Sequence, residues 1–173
     1  MQSKARISPA EAGGANVLAF LDMLAVSEGT ALLAQTDDGY NVIVGSTPRQ
    51  PVLFDSYQDH PRQLVKFPKL GIGSTAAGRY QLLARYYDAY RKQLGLSDFS
   101  PINQDRIAIQ QIRERGALHL IQAGQIEAAI KQVKNIWASL PGAGYGQHEH
   151  SLARLLAAYQ AAGGELAEAM AQP

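Results

Sequence analysis

Apolar residues at Val17, Leu21 and Leu24 recur at helical spacing, and Glu28 continues their series. Val17 and Glu28 are about three turns apart at 3.6 residues per turn, so they share one helical face. The pattern predicts an amphipathic helix that ends at Glu28 and Gly29, with Asn16 as its N-cap. It also puts an acid on the stripe that should point inward. After turn chemistry over Gln35–Tyr40, the β-branched run Tyr40–Gly45 predicts a strand, and Val52–Tyr57 predicts its antiparallel partner. The stretch from His60 to Ser74 carries Pro61, Pro68, Gly71 and Gly73 and reads as a long surface loop. Helical spacing returns over Ala76–Leu94 through Tyr80, Leu83, Tyr87 and Tyr90, with Gly95 as the stop. Ser100–Pro101 marks a helix start, and Ile102, Ile109 and Ile112 share a face of the helix running to about Arg115. Shorter helices follow over Ala117–Gln122 and Gln125–Leu140, then a glycine-rich loop from Pro141 to Gly146. A last amphipathic helix spans roughly Glu149–Ala162. Residues 1–15 read as a loose arm and 163–173 as a tail. The sum is one mostly helical domain with a small antiparallel sheet.

Composition narrows the chemistry. The chain has 173 residues, 46% hydrophobic and 18% charged, enough for a sizeable core and too apolar for disorder. Its 16 Lys and Arg against 15 Asp and Glu give a net charge of +1 without basic runs, so nucleic acid is not an expected partner. With no cysteine, disulfides, thiolate metal sites and thiol nucleophiles are excluded. No apolar run approaches the ~18 residues that would span a bilayer, so membrane insertion is not expected. The charged N-terminus has no apolar segment behind it, which predicts accumulation in the cytoplasm.

Glu28 is the residue on which chemistry centres. A glutamate at a helix end often does no more than meet water. Burial, however, disfavours the charged form of a carboxyl group, and so does the C-terminal end of a helix dipole. Those are the conditions for a general acid, and a lone acid of that kind suits glycosidic bond cleavage. Asp37, Asp38, Asp55 and Asp59 are candidates for a second carboxylate, though each also reads as a turn or surface aspartate. His148-Glu149-His150 lacks the cysteine pair of zinc deaminases, and its i, i+2 histidines do not share a helical face, so no metal is expected. Pro141–Gly146 is no phosphate loop, since neither a Lys-Ser/Thr pair nor a preceding strand accompanies it. As a cleft edge it would offer backbone amides and Tyr145 to a sugar.

Phe20–Thr30, Gly39–Gly45, Asp59–Arg62, Ala77–Leu83, Tyr90–Leu96 and Asn135–Gln147, taken in order, resemble the bacteriophage lambda endolysin family over roughly residues 17–160. The resemblance implies an α+β, lysozyme-like fold with a small sheet lobe beside an active-site cleft. It implies lytic transglycosylase activity on peptidoglycan: cleavage between N-acetylmuramic acid and N-acetylglucosamine that leaves a 1,6-anhydro ring and adds no water. Glu28 aligns with the single catalytic carboxyl group, acid first and then base. Gln81 falls where relatives place a cleft-lining glutamine, and Tyr40, Asn41, Tyr80, Tyr145 and Gln147 are the other expected substrate contacts. Residues 63–72 and 141–154 match the two mobile lips of the cleft. No cofactor is implied; the partners are glycan strands and a holin that opens the route to the wall, and a monomer is expected. The chain departs from the family pattern in two places: Asn41 stands where relatives carry an aspartate, and Ala31–Asp38 lacks their basic residues and reads Ala31-Leu32-Leu33-Ala34. The rival readings are a hydrolytic muramidase with an aspartate partner and a non-catalytic wall-binding module.

Overall fold

In the computed structural model, residues 5–144 and 148–168 are described. Among them the chain forms seven α-helices: α1 (Pro9–Ala12), α2 (Ala15–Ser27), α3 (Ala84–Leu94), α4 (Pro101–Glu114), α5 (Leu118–Gln122), α6 (Ile126–Val133) and α7 (Leu152–Ala161). One antiparallel hairpin joins β1 (Val65–Phe67) to β2 (Ile72–Ser74), in the register Val65–Ser74, Lys66–Gly73 and Phe67–Ile72. The chain divides into two compact units, one of residues up to Ile7 with Glu28–Ile107, the other of Ser8–Ser27 with residues from Ala108 on.

The second unit is helical. Its centre is α2, which packs against α7, α5 and α1. Val17, Ala19, Phe20, Leu21, Met23, Leu24 and Ala25 are all buried, so the helix is enclosed on nearly every side and is not the one-striped element expected. Asn16 lies inside it and is no N-cap. Its side-chain amide donates to the Gln122 and Glu165 carbonyls, and its Oδ1 accepts from the Glu165 amide. These bonds, with Ala167 N donating to the Gly124 carbonyl, hold the segment after Gly163 against the helices. Within the stretch expected as a loose arm, Pro9–Ala12 form α1, which Ser8 caps by accepting from Glu11 N.

The first unit holds the small sheet lobe, built differently from the expectation. Segments 40–45 and 52–57 do lie antiparallel, with Ile43 N donating to Val52 O and Phe54 N to Asn41 O, but they meet only at the Val42–Leu53 bridge. The other side of 42–44 pairs with 76–78, through Val44 N to Ala76 O and Gly78 N to Val42 O. The true strands sit inside the expected loop, where Pro68 opens a 3-10 turn and Gly71 closes it at φ +64°. Residues 76–83 are not helical. Ala77 and Leu82 bridge each other around Gly78, and α3 begins at Ala84 and stops at Gly95, which takes φ +64°. A Cβ on Gly78 would lie 2.3 Å from the Gln104 side-chain oxygen, so this turn needs glycine. Beneath it Ala77, Leu82, Tyr87, Phe99 and Ile107 form a core, with Phe54, Tyr90, Leu94 and Leu96 packed at its margin.

Candidate active site

Glu28 directly follows the last helical residue of α2, and Gly29 beside it adopts φ +79°. The reversal carries the chain into a 3-10 turn over Thr30–Leu32. That turn is pinned. The Thr30 hydroxyl donates to the Arg79 carbonyl at 2.7 Å, and Gly39 passes so close that a Cβ there would sit 3.0–3.1 Å from Thr30. Glu28 is half-buried, so it can meet water or a ligand. It lines a groove of about 370 Å3 together with Thr30, Leu32, Leu33, residues 42–48 and Gln81.

Gln81 holds φ +53°, a left-handed conformation that a residue with a Cβ adopts only when its surroundings impose it. Gly78, Arg79 and the Ala77–Leu82 bridge impose it here. The Gln81 amide nitrogen donates to the Gly78 carbonyl at 2.9 Å, which fixes the side chain within the groove wall.

Tyr40, Asn41 and Tyr80 do not line this groove. Tyr40 and Tyr80 are only 2% and 5% exposed. Both phenols donate to Asp105 Oδ1, at 2.8 and 2.7 Å, while the Ile7 amide donates to Asp105 Oδ2 at 3.0 Å. The rings meet edge to face, and the buried Arg79 guanidinium lies 5.2 Å from the Tyr40 ring centre and 5.8 Å from that of Tyr80. Arg79 also donates to the Asp38 carbonyl and to the Tyr80 oxygen. Burial and the nearby Asp105 charge push both phenols above their ordinary range. Burial raises the Asp105 carboxyl as well, against the opposing pull of its three donors. The expected substrate contacts at 40 and 80 are thus corrected to supports beneath the groove. The half-buried Asn41 accepts from the Asp37 amide at 2.8 Å, across the turn that Tyr40 N closes onto the Asp37 carbonyl.

Asp105, not among the residues expected from the sequence, carries the same signal as Glu28: Ile102, Asp105, Ile109 and Ile112 fall on one face of α4. His60 had no assigned role. It is buried against Phe99 and Tyr87, donates from Nε2 to the Leu82 carbonyl at 2.8 Å and accepts the Arg62 amide at Nδ1. Burial lowers its proton affinity, and the two bonds define a neutral ring with its hydrogen on Nε2.

The candidate second carboxylates have other engagements. Asp37 accepts from the Tyr57 hydroxyl, Asp38 faces Arg79 at 3.7 Å, and Asp59 pairs with Arg62 and Arg91. Asp55 is exposed, and none of the four lines the groove. Within the second unit, His150 Nε2 donates to the Ser27 carbonyl at 3.0 Å, and Ser27 and Ser139 share a hydrogen bond of 2.8 Å. Glu149 accepts from the amides of Gly142 and Gly144, which hold its carboxyl below the usual range. Tyr145 and Gln147, expected substrate contacts, lie outside the described residues.

The sequence model of the Endolysin family matches residues 18–166. The chain belongs to the endolysin family. Among its members, the endolysin of Escherichia phage P2 is 57% identical over 154 residues, 86% of this chain and 93% of its own length. That of Escherichia phage lambda is 59% identical over 153 residues, 87% and 92% of the two chains. The structure of bacteriophage lambda lysozyme complexed with a chitohexasaccharide superposes with a TM-score of 0.82 at 56% identity, covering 88% of this chain and 97% of that one. A second lambda lysozyme structure gives 0.78 at the same identity and coverage. The fold is therefore the lysozyme-like α+β fold of this family. Among the described residues no helix is long and apolar enough to cross a membrane.

Proposed function

We propose that this endolysin cleaves the β-1,4 bond between N-acetylmuramic acid and N-acetylglucosamine in peptidoglycan as a lytic transglycosylase, with Glu28 as its catalytic residue. The observation that carries the proposal is that Glu28 is the sole acid among the described residues lining the groove. In the first step the Glu28 carboxyl gives its proton to the glycosidic oxygen, and the glucosamine leaves with a 4-hydroxyl. Positive charge develops at C1 of the muramic acid. The sugar's own 6-hydroxyl then bonds to C1, and its proton passes to the Glu28 carboxylate. Glu28 ends protonated, ready for another turnover, and no water is consumed. One carboxyl group working twice needs no aspartate partner, which favours this route over the hydrolytic one.

Gln81 is the polar neighbour best placed to hold the sugar ring, since its backbone is locked and its side chain is fixed in the wall. The enzyme acts on glycan strands as a single catalytic domain and a monomer. It stays in the host cytoplasm until a holin opens the inner membrane. Replacing Glu28 with Gln keeps the shape and removes the transferable proton. Incubating Glu28→Gln with purified sacculi should release soluble fragments about 10^3-fold more slowly than wild type while its far-ultraviolet circular dichroism matches the wild type; release at the wild-type rate would remove Glu28 from the reaction.

A further inference from the structure

We infer that the wall running from Leu32 to Pro48 is a specificity subsite that receives the methyl groups of the lactyl–alanyl substituent on muramic acid. This rests on the proposed peptidoglycan reading and goes beyond it, naming which part of the substrate distinguishes it from other β-1,4 glucosamine polymers.

Leu32 is 53% exposed, yet it is presented on a turn that cannot drift. Leu32 N donates to Gly29 O, Leu33 N to Thr30 O, and the Thr36 hydroxyl to Leu33 O, while Thr30 is tied to Arg79. A single exposed leucine means little by itself. Here it shares one groove with Leu33, Val44 and Pro48, in the same cavity as the acid. The polar side chains of that wall are turned to the backbone: the Ser46 hydroxyl donates to Ile43 O and accepts from Val52 N, and the Thr47 hydroxyl accepts from Gln50 N. Among the described residues no aromatic side chain lines the groove, so it has no flat face to stack on a pyranose ring.

An aliphatic wall with its hydroxyls engaged suits methyl groups better than sugar hydroxyls, which would lose water there without new partners. The scissile bond starts at C1 of muramic acid, so that ring must sit at Glu28. Its lactyl ether, on C3 of the same ring, then enters the groove, followed by the first alanine of the stem peptide. Chitin-type strands carry neither group.

The test compares Leu32→Ser with the parent in a Glu28→Gln background, so that binding is measured whether or not cleavage occurs. The probes are muramyl strands bearing peptides, the same strands after an amidase has removed the peptides, and chitohexaose. Loss of one or two methyl-sized contacts should weaken binding of peptide-bearing strands by roughly four- to fifteenfold. Chitohexaose binding should stay unchanged, and peptide-free strands should show how much of the effect belongs to the lactyl methyl alone. An equal loss on chitohexaose, or no loss on any probe, overturns the inference. The product ends that the wild-type enzyme leaves on sacculi, 1,6-anhydro or hydrolysed, report separately on the transglycosylase proposal.

Discussion

Two acids, Glu28 and Asp105, both continue apolar helical stripes, and the molecule treats them in opposite ways. Asp105 is fully buried and receives three hydrogen bonds, from Tyr40, Tyr80 and the Ile7 amide. Glu28 stands half-buried at the lip of a groove. The stripe therefore identifies acids under constraint without saying which constraint. What separates the proposed catalyst from the scaffold is access. An acid enclosed by donors is a structural acceptor, whereas one facing an open groove can exchange a proton with a ligand.

This contrast yields a double dissociation. Glu28→Gln should lower turnover on sacculi by about 10^3-fold, within the range that general acid–base groups supply, and leave the urea midpoint close to wild type. Asp105→Ala should do the reverse at first order. It strands three buried donors and should cost about 3 kcal/mol or more of stability in urea denaturation. Asp105→Asn, which keeps an acceptor, should lose roughly half of that. If Asp105→Ala proves as stable as the parent, the hub assigned to it is not a support.

Titration sharpens the same comparison. His60 binds its proton less readily folded than unfolded, because burial lowers its pKa from the ordinary 6.5. The unfolded chain then holds more protons in the window below 6.5, so stability falls as pH drops through that window. Asp105, raised above 3.8 by burial, has the opposite sign: the folded state holds more protons, and its contribution to stability declines as pH rises from 3.8 through the raised value. Chemical denaturation of His60→Gln across pH 5–7 should show a flatter profile than wild type, and Asp105→Asn should flatten the acid side. The smallest effect belongs to Asn41. Its Oδ1 bond to the Asp37 amide can be kept by a carboxylate, and its side chain does not line the groove. Asn41→Asp should change turnover by less than about threefold, as expected for a substitution outside the reacting site.

The elements that local pattern revealed are those whose signals are local. The end of α2 at Glu28–Gly29, the Gly95 stop of α3 and the Ser100–Pro101 start of α4 all lie within a turn or two of the residues that mark them. Residues 76–83 misled because Tyr80 and Leu83 have helical spacing, while the turn they occupy depends on Gln104, which accepts the Arg79 amide from a distant helix. No window around Tyr80 contains that bond. The strands moved for a related reason. Val42 and Ile43 carry one single bridge each, to Leu53 on one side and to Ala77 on the other, too short for a ladder, and Pro68 with its glycines makes a hairpin tip where composition alone reads as loop. The candidate site divides the same way. Glu28 and Gln81 reach the groove, but Tyr40 and Tyr80, expected there from the family resemblance, turn their hydroxyls to a buried acid one turn into α4.

If the Glu28 carboxyl group acts twice, as proposed, no water enters the product. Digesting sacculi in water enriched with oxygen-18 and weighing the muropeptides tests it directly. The proposed reaction leaves 1,6-anhydro ends, one water lighter than hydrolysed ends and free of the label. Muramic acid ends carrying oxygen-18 would contradict it and assign the enzyme to the hydrolytic class.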